Sequence, residues 1–226
     1  MVSVERDDES TARSVQVAAL LLAVVAGSVD SLAFLTLGEV FASVMTGNLV
    51  LLGIGLVRAE AQIVATAIAL GGYVVGVLAA SQLAWRARPV RVRTAARLEG
   101  LLVAGLVIGW RLTDGPPDAA NARDLLLVLA AATMGVQSVL SSRLPGGPST
   151  TYFTSTLTGV VADLGRHRRL RLWSLARLVA LVAGAALTAW LVSDAPRYAV
   201  GVPAVGLAAV LVLLDRGRGG SRSIAS

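Results

Sequence analysis

Apolar residues occur in eight runs along the chain, separated by short polar or basic stretches. The runs are 15–37, 40–57, 62–85, 95–112, 124–142, 149–165, 172–193 and 197–215. A helix needs about 20 predominantly apolar residues to cross the hydrocarbon core of a bilayer, and most of the runs approach this length. The pattern predicts an all-α polytopic membrane protein. The runs 40–57 and 149–165 are short and contain polar residues, so hydropathy alone does not decide whether they cross.

The two ends of the chain differ from this apolar body. Residues 1–14 form an acidic, polar tail, whereas a secretory signal would begin with a basic region and a short apolar stretch. We therefore expect the run that follows the tail to be a first, uncleaved span. The stretch 216–226 is basic and rich in Gly and Ser, which is typical of disorder. Between the tails we expect two membrane repeats, residues 15–112 and 123–215.

Arginine predicts the orientation of the spans, since every one of the 20 basic residues is Arg. Loops 86–97 and 166–171 and the C-terminal tail are rich in Arg, whereas loops 113–123 and 194–197 are not. The positive-inside rule places the Arg-rich loops in the cytoplasm. Eight crossings would put loops 86–97 and 166–171 on opposite sides. Six crossings, with both termini cytoplasmic, satisfy every loop and predict a multi-pass membrane protein.

A weak internal repeat supports six crossings. A shift of 108 positions aligns several residues of the first half with residues of the second. The aligned pairs include Gly27 with Gly135, Thr46 with Thr154, Arg58 with Arg166, and Gly76 with Gly184. Each half would then contain about three spans and one re-entrant half-helix. Because three is odd, the halves have opposite orientation, an inverted 3+3 arrangement that recurs in secondary transporters.

The polar stretch "MTGN" and its counterpart "FTST" would form the tips of the two re-entrant segments. Glu39–Met45 is predicted to descend as an extended strand, with Thr46 and Asn48 capping a returning half-helix and Gly47 allowing close approach. Thr154, Ser155 and Thr156 would cap the second half-helix. The two N-termini would present unpaired amides near the midplane. The alternative is two ordinary kinked spans whose Ser and Thr side chains pack against neighbours.

The sequence "AGSVDSLAFLTLGEVFASVMTGNLVLLGIGL" resembles the N-terminal signature of the YoaK-like bacterial membrane proteins, the family of unknown function numbered 1275. "TTYFTSTLTGVVADLG" resembles the second polar motif of that family, with Ser155 where Gly is more usual. The resemblance covers about residues 15–215. It implies a polytopic inner-membrane protein and no established activity.

Asp30 is the acidic residue that sequence analysis places deepest in a span. Acidic side chains at such depth are costly and usually face a cavity or a partner. The repeat aligns Asp30 with Ser138, which has Gln137 beside it. An acid in only one half would suit a proton or cation coupling site. The alternative is a structural Asp30 that is hydrogen-bonded to Thr46 or Asn48 and holds the hairpin in place.

Several function classes are disfavoured. The chain has no Cys and one His, and no spacing typical of a metal site, a catalytic triad or a phosphate loop is present. We therefore expect no cofactor, no metal and no enzyme activity. The formal net charge is +6, but the Arg residues flank apolar runs, so nucleic-acid binding is not expected.

The leading hypothesis is a small secondary carrier of a polar or anionic solute in the lipid bilayer, with a proton-linked acid. The alternative is a non-transporting scaffold or subunit of a membrane complex, and a membrane enzyme is a weaker third. A homo-oligomer is compatible with so small a carrier, although no feature fixes its number. The candidate binding residues are Asp30, Thr46, Gly47, Asn48, Gln137, Ser138, Thr154, Ser155 and Thr156.

Overall fold

A computed structural model describes residues 2–58, 62–84, 89–143, 153–165 and 172–216. These residues form eight α-helices and one short 3-10 helix, Pro196–Tyr198. The α-helices are α1 Val2–Thr36, α2 Met45–Arg58, α3 Gln62–Ala84, α4 Pro89–Leu112, α5 Ala120–Arg143, α6 Phe153–Gly165, α7 Leu172–Asp194 and α8 Gly201–Arg216. The expected all-α class is confirmed for the described residues.

Helix length separates the elements into two groups. Five helical stretches are long and apolar enough to cross a membrane, which makes this a polytopic membrane protein. They are Arg13–Thr36, Gln62–Gln82, Ala120–Arg143, Leu172–Asp194 and Pro196–Leu213. Helix α4 has 24 residues but carries charges in its first half. Helices α2 and α6 have 14 and 13 residues, which is too short for a helix to cross the bilayer core.

Several boundaries differ from the sequence-based prediction. Helix α1 begins at Val2, so the predicted polar tail continues the first span as helix. Helix α4 begins at Pro89, a favourable first helical position for proline, and takes up most of the predicted loop 86–97. The C-terminal stretch 217–226 and most of the predicted descending segment "STTYF" lie outside the described residues.

The turn between α4 and α5 meets the turn between α7 and α8. Trp110 Nε1 donates a hydrogen bond to the carbonyl oxygen of Pro196 at 2.8 Å. Arg197 forms an ion pair with Asp114 across the same contact. Both turns therefore lie at one end of the bundle, which we call the turn end. Helices α4 and α7 run toward the turn end, and α5 and α8 run away from it.

Small residues set the contact between α3 and α5. A Cβ at Gly72 would lie 3.0 Å from the carbonyl oxygen of Val128, and one at Gly76 would clash with the carbonyl oxygen of Ala132. Both positions advance by four residues, about one helical turn, so α3 and α5 run in the same direction. Only glycine admits such close approach of two helix backbones.

The contact between α1 and α7 has the same form. A Cβ at Gly27 would clash with the carbonyl oxygen of Leu181, and one at Gly184 would clash with that of Val24. Gly135 makes the equivalent contact with the carbonyl oxygen of Tyr73 on α3. Tyr73 and Leu181 are 108 positions apart, as are Gly27 and Gly135.

The core lies where α1 and α5 are covered by the other long helices. Residues 130–137 of α5 are all buried. The cluster around α1 and α5 includes Val25, Val29, Leu126, Met134 and Trp110. The outer faces of α3, α7 and α8 expose many large apolar side chains, as expected for surfaces that face lipid.

The chain leaves α1 and enters α3 at the same end of the bundle. Gln62, the first residue of α3, donates from Nε2 to the carbonyl oxygen of Glu39 at 2.8 Å. Helix α5 begins at the turn end, and α3 runs parallel to it. The start of α3, with this contact, therefore also lies at the turn end. Helix α2 and the preceding loop 37–44, which together we call the α2 hairpin, therefore begin and end on one side.

The extended strand predicted for Glu39–Met45 was wrong. No strand forms among the described residues, and loop 37–44 is irregular. Gly38 and Glu39 have φ of 127° and 58°, which turns the chain sharply after α1. A Cβ at Gly38 would also come within 2.8 Å of the Ala65 side chain. Side chains of α1, α2 and α3, rather than a partner strand, bond the backbone of this loop.

Candidate functional site

Asn48 is the residue that fixes the loop against α2. Its side chain is fully buried. Oδ1 accepts a hydrogen bond from the backbone amide of Phe41 at 3.0 Å, and Nδ2 donates to the carbonyl oxygen of Phe41 at 2.5 Å. The amide of Asn48 thus pairs with one residue of the loop in the way that a neighbouring strand would.

Asp30 binds the same loop from the side of α1. Its Oδ1 accepts the backbone amide of Ser43 at 2.7 Å, and its Oδ2 accepts the Ser43 hydroxyl at 2.5 Å. The backbone amide of Ala42 also donates to this carboxylate. The hydrogen-bond partners predicted for a structural Asp30 were wrong, because Ser43 and Ala42 rather than Thr46 or Asn48 make these bonds. Charge-assisted bonds of this kind are the strong ones.

Two further contacts join the α2 hairpin to the helices before and after it. The rings of Phe34 and Phe41 stack with their centroids 5.2 Å apart. A Cβ at Gly55 would lie 2.7 Å from the Ile63 side chain, so α2 and the start of α3 lie close together. Together with the hydrogen bonds from Asp30, Asn48 and Gln62, these contacts fix the α2 hairpin against α1 and α3.

The start of α2 differs from the predicted capping arrangement. Helix α2 begins at Met45, so Thr46 and Asn48 lie inside its first turn and do not cap it. Asn48 donates its backbone amide to the carbonyl oxygen of Val44, but the amides of Thr46 and Gly47 have no partner among the described residues. The Thr46 side chain is exposed and Gly47 is half-buried. Free amides at a helix N-terminus favour an anionic or oxygen-rich ligand.

Gln137 and Ser138 lie on α5. Gln137 is buried, and its Nε2 donates to the carbonyl oxygen of Leu22 at 3.0 Å. This bond joins α5 to α1. Ser138 is half-buried, and its carbonyl oxygen accepts the hydroxyl of Ser141 at 3.1 Å.

Thr154, Ser155 and Thr156 lie in the first turn of α6. Thr154 and Ser155 are exposed and Thr156 is half-buried. The carbonyl oxygen of Thr154 accepts the hydroxyl of Thr158 at 2.9 Å. Helix α6 packs mainly on α7 and α2 on α3, and the described parts of α2 and α6 do not pack extensively on each other.

Glu99 is a second acid in the bundle, and the sequence pattern did not single it out. Glu99 lies in α4 and is 1% exposed. Its Oε1 is buried without a hydrogen-bond partner among the described residues. The neighbouring Arg residues made this stretch look like a charged helix end. The signal that could have found Glu99 is helical spacing, because Ala95, Val103 and Leu106 place it on the buried face.

The surroundings of these residues hold few other polar features. An apolar groove between α4 and α8 is lined by residues that include Gly100, Val103, Leu207 and Leu211. It contacts none of the candidate residues named from the sequence. Within the described ranges, no group of three or more His, Asp or Glu side chains is placed to hold a metal ion.

Comparison with known proteins places the chain in a family. The model of the family described as "Protein of unknown function (DUF1275)" matches residues 18–213. The protein of Bacillus subtilis (strain 168) named "UPF0700 transmembrane protein YoaK" is 32% identical over 152 residues. That match covers 64% of this chain and 64% of the relative, just under two thirds of the relative's length. No solved structure matches the chain. The apolar helices, the transmembrane relative and the family match agree, and the chain is a multi-pass membrane protein that belongs to the DUF1275 family.

Proposed function

We propose that the protein is a secondary carrier of a small polar or anionic solute, built from two inverted repeats. One observation carries the proposal: after a shift of 108 positions, the glycine contacts between α1 and α7 match those between α5 and α3. Gly27 meets Leu181 as Gly135 meets Tyr73, and Gly184 meets Val24 as Gly76 meets Ala132. Inverted repeats with a site between them recur in secondary transporters.

The helix pairs support this arrangement beyond the glycines. Helix α1 packs on α7 and α8 as α5 packs on α3 and α4. Helix α3 runs away from the turn end, whereas its counterpart α7 runs toward it. Equivalent helices with opposite directions are what an inverted repeat requires.

The proposed topology has six crossings. Helices α1, α3, α4, α5, α7 and α8 cross, and α2 and α6 enter and leave on one side. The ion pair between Asp114 and Arg197 supports this count, because eight crossings would put the two turns on opposite faces of the membrane. The Arg-rich loops support an orientation with the turn end outside and both termini in the cytoplasm of an inner membrane.

The α2 hairpin is the proposed solute site. Irregular backbone within a membrane persists where protein or water satisfies its polar groups. Asp30 and Asn48 bond Ala42, Ser43 and Phe41 of the loop. The first-turn amides of α2 remain directed at an approaching ligand, which favours a solute with an anionic or oxygen-rich end.

Asp30 is the proposed proton-linked group at this hairpin. As a carboxylate it accepts the Ser43 amide, the Ser43 hydroxyl and the Ala42 amide. Protonation removes the charge that strengthens these bonds. The hairpin would then loosen, and solute access at α2 would depend on proton binding.

A non-transporting scaffold or membrane-complex subunit is the second candidate. The observation that favours it is that the hydrogen bonds to the Asp30 carboxylate from the described residues all come from the loop it holds, so Asp30 has an adequate structural role. Neither candidate requires catalysis. The lipid bilayer is the expected partner. The exposed apolar helix faces are also compatible with a homo-oligomer.

Solute-dependent thermal stabilisation identifies a ligand, and uptake into proteoliposomes then tests the carrier. A panel of small anionic, polar and cationic solutes is screened for a shift in melting temperature, and hits are tested for uptake with and without an imposed pH gradient. Asp30→Asn is expected to abolish or uncouple gradient-driven uptake while the protein stays inserted. The matched control is Asp194→Asn, an exposed acid at the end of α7, which should behave as wild type.

The results also separate the alternatives. A cationic solute that binds more tightly as pH rises would make Asp30 a direct cation ligand. Failure of every solute to stabilise the protein or to be taken up would favour the scaffold.

A further inference from the structure

Glu99 differs from Asp30 in having no hydrogen-bond donor at its buried oxygen. The side chain is 1% exposed, and Oε1 has no partner among the described residues. Asp30, by contrast, accepts bonds from Ser43 through both oxygens. A buried carboxylate without a cation or donors is costly, and such groups neutralise instead.

Glu99 lies at a different depth from Asp30. It precedes the end of α4 at Leu112 by 13 residues, about 20 Å at 1.5 Å per residue. Asp30 precedes the end of α1 at Thr36 by 6 residues, about 9 Å. Both helices end at the turn end, so Glu99 is about 10 Å farther from that end than Asp30.

Apolar side chains of α3, α5 and α8 surround the part of α4 that contains Glu99. Helices α4 and α5 run antiparallel, since Gly109 meets Leu126 and Gly105 meets Leu129. One turn before Glu99, small apolar residues of α4 pack with side chains of α3 and α5. This cluster consists of Ala80, Ala95, Ala96, Val136 and Leu140. From α8, the Leu211 side chain would lie 3.4 Å from a Cβ at Gly100.

No charged side chain described on the surrounding helices is placed to neutralise Glu99. On α5, the nearest ionisable residue is Arg143 at the exposed helix end. Tyr73 is the ionisable residue of α3. On α8, Asp215 is exposed and lies one turn beyond Leu211, and on α4 itself Arg97 is exposed. No salt bridge to Glu99 occurs in the described part of the chain.

We propose that Glu99 is a second proton-binding site, deeper in the bundle than Asp30, which is protonated in this conformation and releases its proton when water or a cation reaches it. The coupling of that proton to solute movement rests on the proposed carrier function, whereas the proton site itself does not. The repeat aligns Glu99 with Leu207 and Asp30 with Ser138, so both acids belong to one half. A carrier with this asymmetry would bind protons at two depths of one repeat.

Infrared spectroscopy of the protein in lipid tests the protonation directly. A protonated carboxylic acid has a C=O stretching band that is separate from the bands of the amides and of ionised carboxylates. We expect this band in the wild type, its retention in Asp30→Asn, and its loss in Glu99→Gln, with unchanged circular dichroism. The band should also decrease reversibly as the pH is raised from mildly acidic to alkaline.

Reaction with a hydrophobic carbodiimide provides a second readout. A protonated carboxyl adds across a C=N bond of this reagent, its oxygen bonding to carbon and its proton to nitrogen, and the O-acylisourea formed rearranges to a stable N-acylurea. The apolar groove beside Gly100 offers the reagent a route from lipid. Peptide mapping should find Glu99 modified in the wild type and in Asp30→Asn, and less so at alkaline pH.

The outcomes are decisive in either direction. A wild type without the infrared band, a band that survives in Glu99→Gln, or a band that does not change with pH would overturn the proton site. If the band titrates as expected but no solute is taken up by the wild type, the proton site stands and the carrier function fails.

Discussion

Replacing Asn48 with Ala should release loop 37–44 from α2. The substitution removes both hydrogen bonds to Phe41, each worth about 1 kcal/mol net. It also leaves the Phe41 amide and carbonyl without these partners, at about 1–3 kcal/mol for a fully buried group. Because Phe41 is half-buried, we expect the lower part of that range and a total cost of about 2–3 kcal/mol.

Hydrogen exchange in lipid or detergent measures this cost at the hairpin itself. The Ser43 amide donates to Asp30 and not to Asn48, so its exchange reports opening of the whole loop. A loss of 2–3 kcal/mol corresponds to roughly 30- to 150-fold faster exchange through opening. Asn48→Asp keeps one acceptor for the Phe41 amide and should give an intermediate effect.

Thr46→Ala is the matched control in the same helical turn. The Thr46 side chain is exposed, so the substitution should change stability by at most about 0.5 kcal/mol. If Asn48→Ala speeds exchange at Ser43 no more than Thr46→Ala does, Asn48 does not fix the hairpin. Its amide would then be available for a ligand, as the sequence pattern suggested.

Two other predictions concern the bundle, and both are measured as melting temperature in detergent. Gly76→Ala and Gly184→Ala should each destabilise by about 1–3 kcal/mol, because the new methyl meets a backbone carbonyl of the partner helix. Gly71→Ala, where nothing lies within 4 Å, should be neutral or slightly stabilising, and equal effects at positions 71 and 76 would contradict the close packing. Trp110→Phe should cost about 1 kcal/mol, because it removes the indole hydrogen bond to the carbonyl oxygen of Pro196, which keeps its bond from the Ala199 amide, and an unchanged melting temperature would show that the indole bond does not stabilise the turn end.

Composition and the spacing of apolar runs were sufficient for the class of fold. Long apolar runs without Lys or Cys allow few structures other than membrane helices. Gly27, Gly76, Gly135 and Gly184 lie where helices approach closely, and glycines at helical spacing signal this in the sequence because the physical requirement is local.

The loop before α2 could not be predicted in the same way. Alternating apolar residues in "EVFASVM" resemble a strand, but the backbone partners of this loop are side chains of α1, α2 and α3. Glu39 adopts a positive φ that no local pattern indicates for a glutamate. The pairing of Asn48 with Phe41 and of Asp30 with Ser43 depends on how α2 lies beside α1, which hydropathy does not encode.

Glu99 was overlooked for a related reason. A window of composition groups it with Arg93 and Arg97 as part of a charged helix end. Burial is decided one residue at a time by the direction of the side chain on α4. Glu99 faces the bundle whereas Arg97, half a turn earlier, is exposed.

Single-cysteine labelling tests the inverted six-crossing topology most directly, since the chain contains no Cys. Single cysteines are placed at the exposed positions Arg58, Asp118, Ser193 and Arg143 and exposed to a membrane-impermeant maleimide in intact cells. The topology predicts labelling from outside at positions 58, 118 and 193, and at 143 only after permeabilisation. Labelling of 118 and 193 from opposite sides of the membrane would contradict it and restore eight crossings.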